Sequence, residues 1–274
     1  MASLVSLPEL SALPQRTDRM ATRVAAIVPV ELVFAESRQG VLPARTTDIG
    51  TGGLCVKTES PIDGDSVHRV RLKLGRHDLE FGVVSRWSSP IGARTGSITG
   101  FEFAETDACS EAALGRFVQE RAMEIGTFLR SCCGFNELGF QEALELAMTT
   151  RIREVDSGET IYGAPDGAGC SSIFALFRGS VLLERKSDRR NEQSISVQSG
   201  EFFGGLPMIA GIESAQRAVA TGPATLLEFI QHNTSYLMMH KPSLGAALLR
   251  AAAFHWANRT QQLLDRSFEG SDDV

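Results

Sequence analysis

The stretch "RTTDIGTGGLCVKTE", Arg45 to Glu59, carries three glycines in four positions, Gly50, Gly52 and Gly53. Such a cluster invites a dinucleotide-binding reading, in which a glycine turn opens a helix whose N-terminus takes the phosphates. The glycines lead instead into "LCVKTE", which alternates like a strand. The required helix is absent, and the dinucleotide-binding fold is excluded. Glycines also let a backbone turn sharply and let a ligand approach closely. The stretch therefore reads as a turn after an apparent second strand, with Asp48 at its entrance.

Working outward, "VPVELVF", "GLCVKTE", "VHRVRLKL", "LEFGVVSRW" and "SITGFEF" are short β-type runs separated by Gly-, Pro- and Asp-bearing breaks. Strands at this spacing predict a small barrel or sandwich. The pattern then changes to helical spacing in Ser110 to Arg130, with Leu114, Phe117, Val118, Ala122, Ile125, Phe128 and Leu129 as the apolar set and Ser110 as the expected cap. "NELGFQEALELAMTT" reads as a second helix. From about Arg153 β character returns in "ETIYG", "SIFALFRGSVLLER", "SISVQSGEFFGG" and "RAVATGPATLLEFI". The last part is helical, broken at Lys241-Pro242, with an amphipathic stripe at Leu249, Ala253, Trp256 and Leu263. That stripe has two readings, packing on its own domain or a homodimer seam.

The 274 residues are 43% apolar and 22% charged, with a net charge of −6. This is a globular composition, and the acidic balance argues against general nucleic-acid binding. The five cysteines have no zinc-ligand spacing and are expected to be reduced and mostly buried. The opening "MASLVSLPELSALPQR" lacks the basic and apolar regions of a secretory signal. No apolar stretch reaches the roughly 18 residues that span a bilayer. A soluble, cytoplasmic protein is the expectation, without membrane partner.

Arg19 and Arg23 stand four apart just before the first strand. Guanidinium forks match phosphate oxygens and the O6/N7 edge of guanine, and a carboxylate accepts from guanine N–H groups. An arginine pair plus an Asp-Gly turn complements a guanine nucleotide in charge and hydrogen bonding. These residues resemble the PilZ domain, a small β-barrel that receives cyclic di-GMP. Its motifs are R-x-x-x-R, met by Arg19 and Arg23, and [D/N]-x-S-x-x-G, met by Asp48 and Gly53 with Gly50 in the serine position. Pro29-Val30, "VVSRW" and "GFEF" come in the family's order, and the resemblance covers roughly residues 16–128. It implies a cyclic di-GMP site formed by Arg19, Arg23, Asp48, Gly50 and Gly53. The missing serine hydroxyl is worth about 0.5–1.5 kcal/mol.

The far half, roughly residues 134–264, resembles cyclic mononucleotide-binding domains of the catabolite-activator type. "REVDSGETIY" with Gly158, "SIFALFRGSVLLER" with Gly179, and "SGEFFGGL" with Gly200 and Gly204 carry that resemblance. Members that bind cyclic AMP place a glutamate where this chain has Gly205. Their phosphate arginine aligns with Ser214, and Arg217 falls three residues late. A cyclic mononucleotide site would comprise Gly204, Gly205, Ser214 and Arg217. The competing reading is a degenerate module used for coupling.

No catalytic or metal-binding motif is present, and no helix-turn-helix comes after the terminal helix. The expectation is a mainly β protein with helices. Its parts are a loose arm (1–18), a six-stranded PilZ-type barrel (19–108), a connector helix (109–133), a β-roll (134–266) and an acidic tail (267–274). It would act as a non-enzymatic bacterial receptor for cyclic di-GMP, without cofactor or metal, relaying to an unknown partner that is not DNA. The alternatives are a scaffold with decayed sites, or a dual sensor that also binds cyclic AMP or GMP.

Overall fold

The computed structural model describes residues 23–35, 40–90, 96–135, 137–163, 171–185, 193–211 and 216–269. The first half is built from β1 (Arg23–Ala25), β2 (Pro29–Phe34), β3 (Val41–Gly50), β4 (Gly53–Thr58), β5 (Val67–Leu74), β6 (His77–Pro90) and β7 (Ser97–Glu105). Six of them close a barrel in the order β3-β2-β5-β6-β7-β4, sealed by pairing of β3 with β4. The expected six-stranded barrel is present, with β1 added on the flank of β3.

The Arg45–Gly50 half of the opening stretch lies in strand β3, and the turn is only Thr51-Gly52. The β1–β2 segment runs antiparallel to β3, pairing Arg23 with Gly50, Ala25 with Asp48 and Pro29 with Arg45. Between β1 and β2 the chain leaves the ladder at Ala26–Val28. Buried Thr46 fills that gap, its Oγ1 donating to Ala26 O at 2.6 Å and accepting from Val28 N at 2.9 Å. This hydroxyl adds to the two backbone bonds that remain there, Ala26 N to Thr47 O at 3.3 Å and Thr46 N to Val28 O at 3.0 Å, and helps keep β1 in register.

Inward-facing Leu32, Ile49, Leu54, Val56, Phe81 and Phe101 fill the barrel. Helix α1 (Ala108–Ser131) lays Leu114, Val118, Ala122, Ile125 and Leu129 onto it, at the spacing of one helical face. Its cap is Asp107, which accepts from the N–H groups of Cys109 and Ser110. Ser110 instead donates its hydroxyl to Asp107, and these bonds hold the Asp107 carboxyl below its ordinary range. The expected cap is three residues late, because an acceptor at Asp107 already meets the first free amides.

Helix α2 (Phe140–Ala147) comes next, then β8 (Arg151–Val155), β9 (Thr160–Tyr162), β10 (Ser172–Arg178), β11 (Val181–Arg185), β12 (Gln193–Val197), β13 (Phe202–Gly204), helix α3 (Leu206–Ala210), β14 (Gln216–Ala220) and β15 (Ala224–Ile230). Two four-stranded antiparallel sheets, β13-β10-β15-β8 and β12-β11-β14-β9, form the roll. Helices α4 (Gln231–His240) and α5 (Pro242–Glu269) close the described chain. The buried face of α5 is Leu244, Leu248, Ala251, Ala252, His255 and Arg259. The predicted stripe is offset from it: Ala253 is exposed, and Leu249, Trp256 and Leu263 are half-buried. The offset arises because two polar residues sit on the packed face. Arg259 donates to Phe202 O on the edge strand β13, a role hydrophobicity does not signal.

The two halves share one apolar core, which runs from Leu32 and Ile49 through α1 and α2 to Phe177, Phe202, Phe229 and Leu248. Strand β8 packs against β1 and β3, and Arg45 pairs with Glu154 at 2.9 Å. Among the described residues no helix is long and apolar enough to cross a membrane.

Thr46→Val keeps the shape of the side chain and removes both hydroxyl bonds across the β1–β2 gap. It is expected to destabilise the chain by about 1–3 kcal/mol, read as a lower urea midpoint, with Thr46→Ser close to wild type.

Candidate functional site

The register of β1 on β3 brings the motif residues together. Arg23 Nη1 donates to Asp48 Oδ1 at 3.0 Å, and the two side chains are 22% and 18% exposed. The same Nη1 reaches Cys55 Sγ at 3.5 Å. The Arg23 Nε is buried and, among the described residues, has no partner. A guanidinium whose Nε–H is unused while Nη1 is shared between a carboxylate and a thiol is a ready site for an anion with acceptor oxygens. Arg19 and Ser214 lie outside the described residues.

Around this pair the outer barrel face carries glycines at 50, 53 and 100. Gly50 stands across from both Arg23 and Gly53. Asp48, Cys55, Gly100 and Trp87 are successive cross-strand neighbours on β3, β4, β7 and β6. The Trp87 indole occupies the space a side chain at Gly100 would need, since a Cβ there would lie 2.3 Å from Nε1. Sequence reading meets Trp87 and Gly100 only within the runs "VVSRW" and "GFEF", without a role in the site, and does not single out Cys55. Their common face arises from register, which no local pattern discloses.

Gly53 has a structural reason to be glycine. A Cβ on it would lie 2.2 Å from the Phe101 carbonyl oxygen of the paired strand β7. Its place in the motif is therefore explained by closure of the barrel. Cys55 is buried, and its thiol is pushed from an ordinary 9.0 up to about 12, first by burial and then by the Asp48 carboxylate. It stays protonated at neutral pH and serves as a weak acceptor for Arg23. Of the four described cysteines, Cys55 and Cys132 are buried while Cys109 and Cys133 are exposed. The expectation of mostly buried thiols holds for only half of them, since the two exposed residues sit on outward positions of α1 and the turn after it.

The second candidate site is differently furnished. Gly204 and Gly205 both take positive φ, 76° and 79°, and Gly205 leads into α3. A Cβ at Gly205 would lie 2.5 Å from Ile173 Cγ1, so the position has no room for the glutamate that the resemblance to cyclic AMP-binding domains would call for. Arg217 donates through Nη2 to Thr160 Oγ1 at 2.8 Å. It alternates along β14 with Ala218 and Ala220, which belong to the roll's interior core, so its side chain leaves the opposite face. The interior itself holds Tyr162, Phe174 and Phe203, with Phe174 and Phe203 stacked at 5.4 Å and Tyr162 6.2 Å from each.

Residues 17–120 match the PilZ domain family. No curated protein matches the chain in sequence. Among solved structures, a cyclic nucleotide-binding domain from Methylobacillus flagellatus KT is 17% identical with a TM-score of 0.49, over 55% of this chain and 84% of that one. The Thermus thermophilus catabolite activator protein is 22% identical with a TM-score of 0.42, over 50% and 63%. A regulatory subunit of a cAMP-independent protein kinase A from Trypanosoma cruzi, bound to guanosine, is 16% identical with a TM-score of 0.41, over 64% and 59%.

Two outcomes test the geometry without any ligand. Gly53→Ala forces a contact with backbone and is expected to destabilise the barrel by about 1–3 kcal/mol, seen in urea unfolding. Raised thiols also set a pH dependence: the folded chain keeps its protons on Cys55 and Cys132 where the unfolded chain, near 9.0, loses them. Stability is therefore expected to fall as pH rises from about 9 toward 12, less steeply in a Cys55→Ala, Cys132→Ala double variant. With these features in place, residues 17–120 are identified as a PilZ domain, joined through α1 to a roll of two four-stranded antiparallel sheets.

Proposed function

We propose that the chain is a non-enzymatic second-messenger receptor whose PilZ domain takes cyclic di-GMP and relays its binding to the β-roll. The observation that carries this reading is the convergence of Arg23 and Asp48 at 3.0 Å on a glycine-floored outer face. The two side chains satisfy each other's charge. A doubly anionic guanine ligand would replace Asp48 as the partner of Arg23 through its phosphates, and would offer Asp48 its guanine N–H groups instead. Arg19 would supply the second fork. The serine replaced by Gly50 leaves one neutral hydrogen bond unmade, at most roughly a tenfold loss of affinity.

Relay is supported by what adjoins the site. Strand β8 of the roll packs on β1 and β3, and Arg45, three residues before Asp48, pairs with Glu154. A second reading, in which the roll is a coupling module without its own nucleotide, is favoured by the aromatic filling of its interior and by the engagement of Arg217 with Thr160. The dual-sensor reading has no comparable support.

Calorimetry with cyclic di-GMP, cyclic AMP and cyclic GMP tests the proposal. Binding of cyclic di-GMP alone is expected. Arg23→Ala should weaken it about 10- to 100-fold, the range for a lost charge-assisted bond, and Arg19→Ala comparably. Silence for all three ligands would instead favour a scaffold with decayed sites.

A further inference from the structure

Resting on that receptor reading, we propose that Arg121 is the coupling residue through which the nucleotide site and the β-roll sense each other. β1 lies at the end of its sheet, so its outward backbone groups need partners from elsewhere. Arg121 of α1 supplies one: its Nε donates to Ala25 O at 3.3 Å. Ala25 is the ladder partner of Asp48 and lies two residues from Arg23. The motif strand is thus held from its open side by this guanidinium.

The same group faces the roll. It stands 5.7 Å from the centroid of the Phe177 ring at the end of β10, and it pairs with Glu124. Glu124 also takes Arg178 of β10 at 3.2 Å, and Arg178 stands over the Phe177 ring at 5.1 Å. Phe177 packs edge-on against Phe128 of α1 at 4.7 Å. Beyond it, Phe177 O accepts from Ser199 Oγ at 3.0 Å, and Leu176 exchanges backbone bonds with Gly200 and Glu201. Those residues lead directly into β13 and the α3 turn. One planar fork therefore touches the strand that carries Arg23, the connector helix, and the strand that positions the entrance to α3.

Arginine suits this place and lysine does not. The contacts need two donors pointing in different directions and a flat cationic face for an aromatic ring. A lysine ammonium keeps the charge but loses the fork. A shift of β1 on ligand binding would move the Ala25 carbonyl, and the guanidinium would have to follow it or let go of Phe177.

The test is amide exchange on the full chain. In the wild type, saturating cyclic di-GMP is expected to slow exchange at Phe174–Arg178 and Phe202–Gly204 by at least about fivefold, the lower end of typical coupling between sites. In Arg121→Lys, calorimetry should show affinity within about threefold of wild type, with the remote slowing cut to less than about twofold. A remote response that survives Arg121→Lys overturns the proposal, as does loss of binding in that variant. If wild type binds no cyclic di-GMP, the receptor reading falls, and the unliganded chain decides for Arg121. There, Phe177→Leu should speed exchange at Ala25 and Ile49 in an otherwise wild-type chain and add nothing in the Arg121→Lys background. Additive effects overturn the coupling.

Discussion

The pairing register of β1 on β3 is the constraint on which the site depends. With Arg23 opposite Gly50 and Ala25 opposite Asp48, the Arg23 side chain reaches diagonally to the carboxylate. A slip of one residue would send Arg23 to the other face of the sheet and leave Asp48 without its cation. Few ladder bonds hold so short a strand. Thr46 bridges the gap beside it, and α1 covers its open side. The register is a product of the whole first domain.

The same strand adjoins the second half of the molecule. Because β8 packs on β1 and β3, and one apolar core continues from the barrel through α1 into the roll, the halves cannot rearrange independently without exposing buried surface. Close packing makes such interfaces respond by discrete shifts. Under the proposed function, a small event at the barrel edge would become a changed relation between domains. The roll contributes as a body with a filled centre, its interior closed by Tyr162, Phe174 and Phe203.

Much of this is legible in the residues. "VHRVRLKL" alternates from Val70 to Leu74 and is β5 to the residue, and the Lys241-Pro242 break separates α4 from α5 as expected. β3 is hidden because "VLPARTTDIG" has a proline and a polar centre. It is a strand through its partners, β2 along one half and β1 and β4 along the other, and Pro43 falls where only β2 pairs with it. The motif residues Arg23, Asp48 and Gly53 can be named from sequence. That Gly53 serves the barrel wall, and that Cys55 lies under the Arg23 guanidinium, depends on which strands neighbour β4. The buried face of α5 escapes the apolar pattern for a related reason: His255 and Arg259 are chosen by the backbone and rings they meet, as with Arg259 on Phe202 O.

The central claim is that the Arg23–Asp48 pair forms an anion site. Side-chain nitrogen NMR of arginine, titrated with cyclic di-GMP, tests it most directly. The account predicts that the signal of the Arg23 Nε–H, buried and unpartnered among the described residues, moves with saturating ligand while that of Arg71, paired with Glu80, stays in place. Bound ligand with an unmoved Arg23 signal would contradict it.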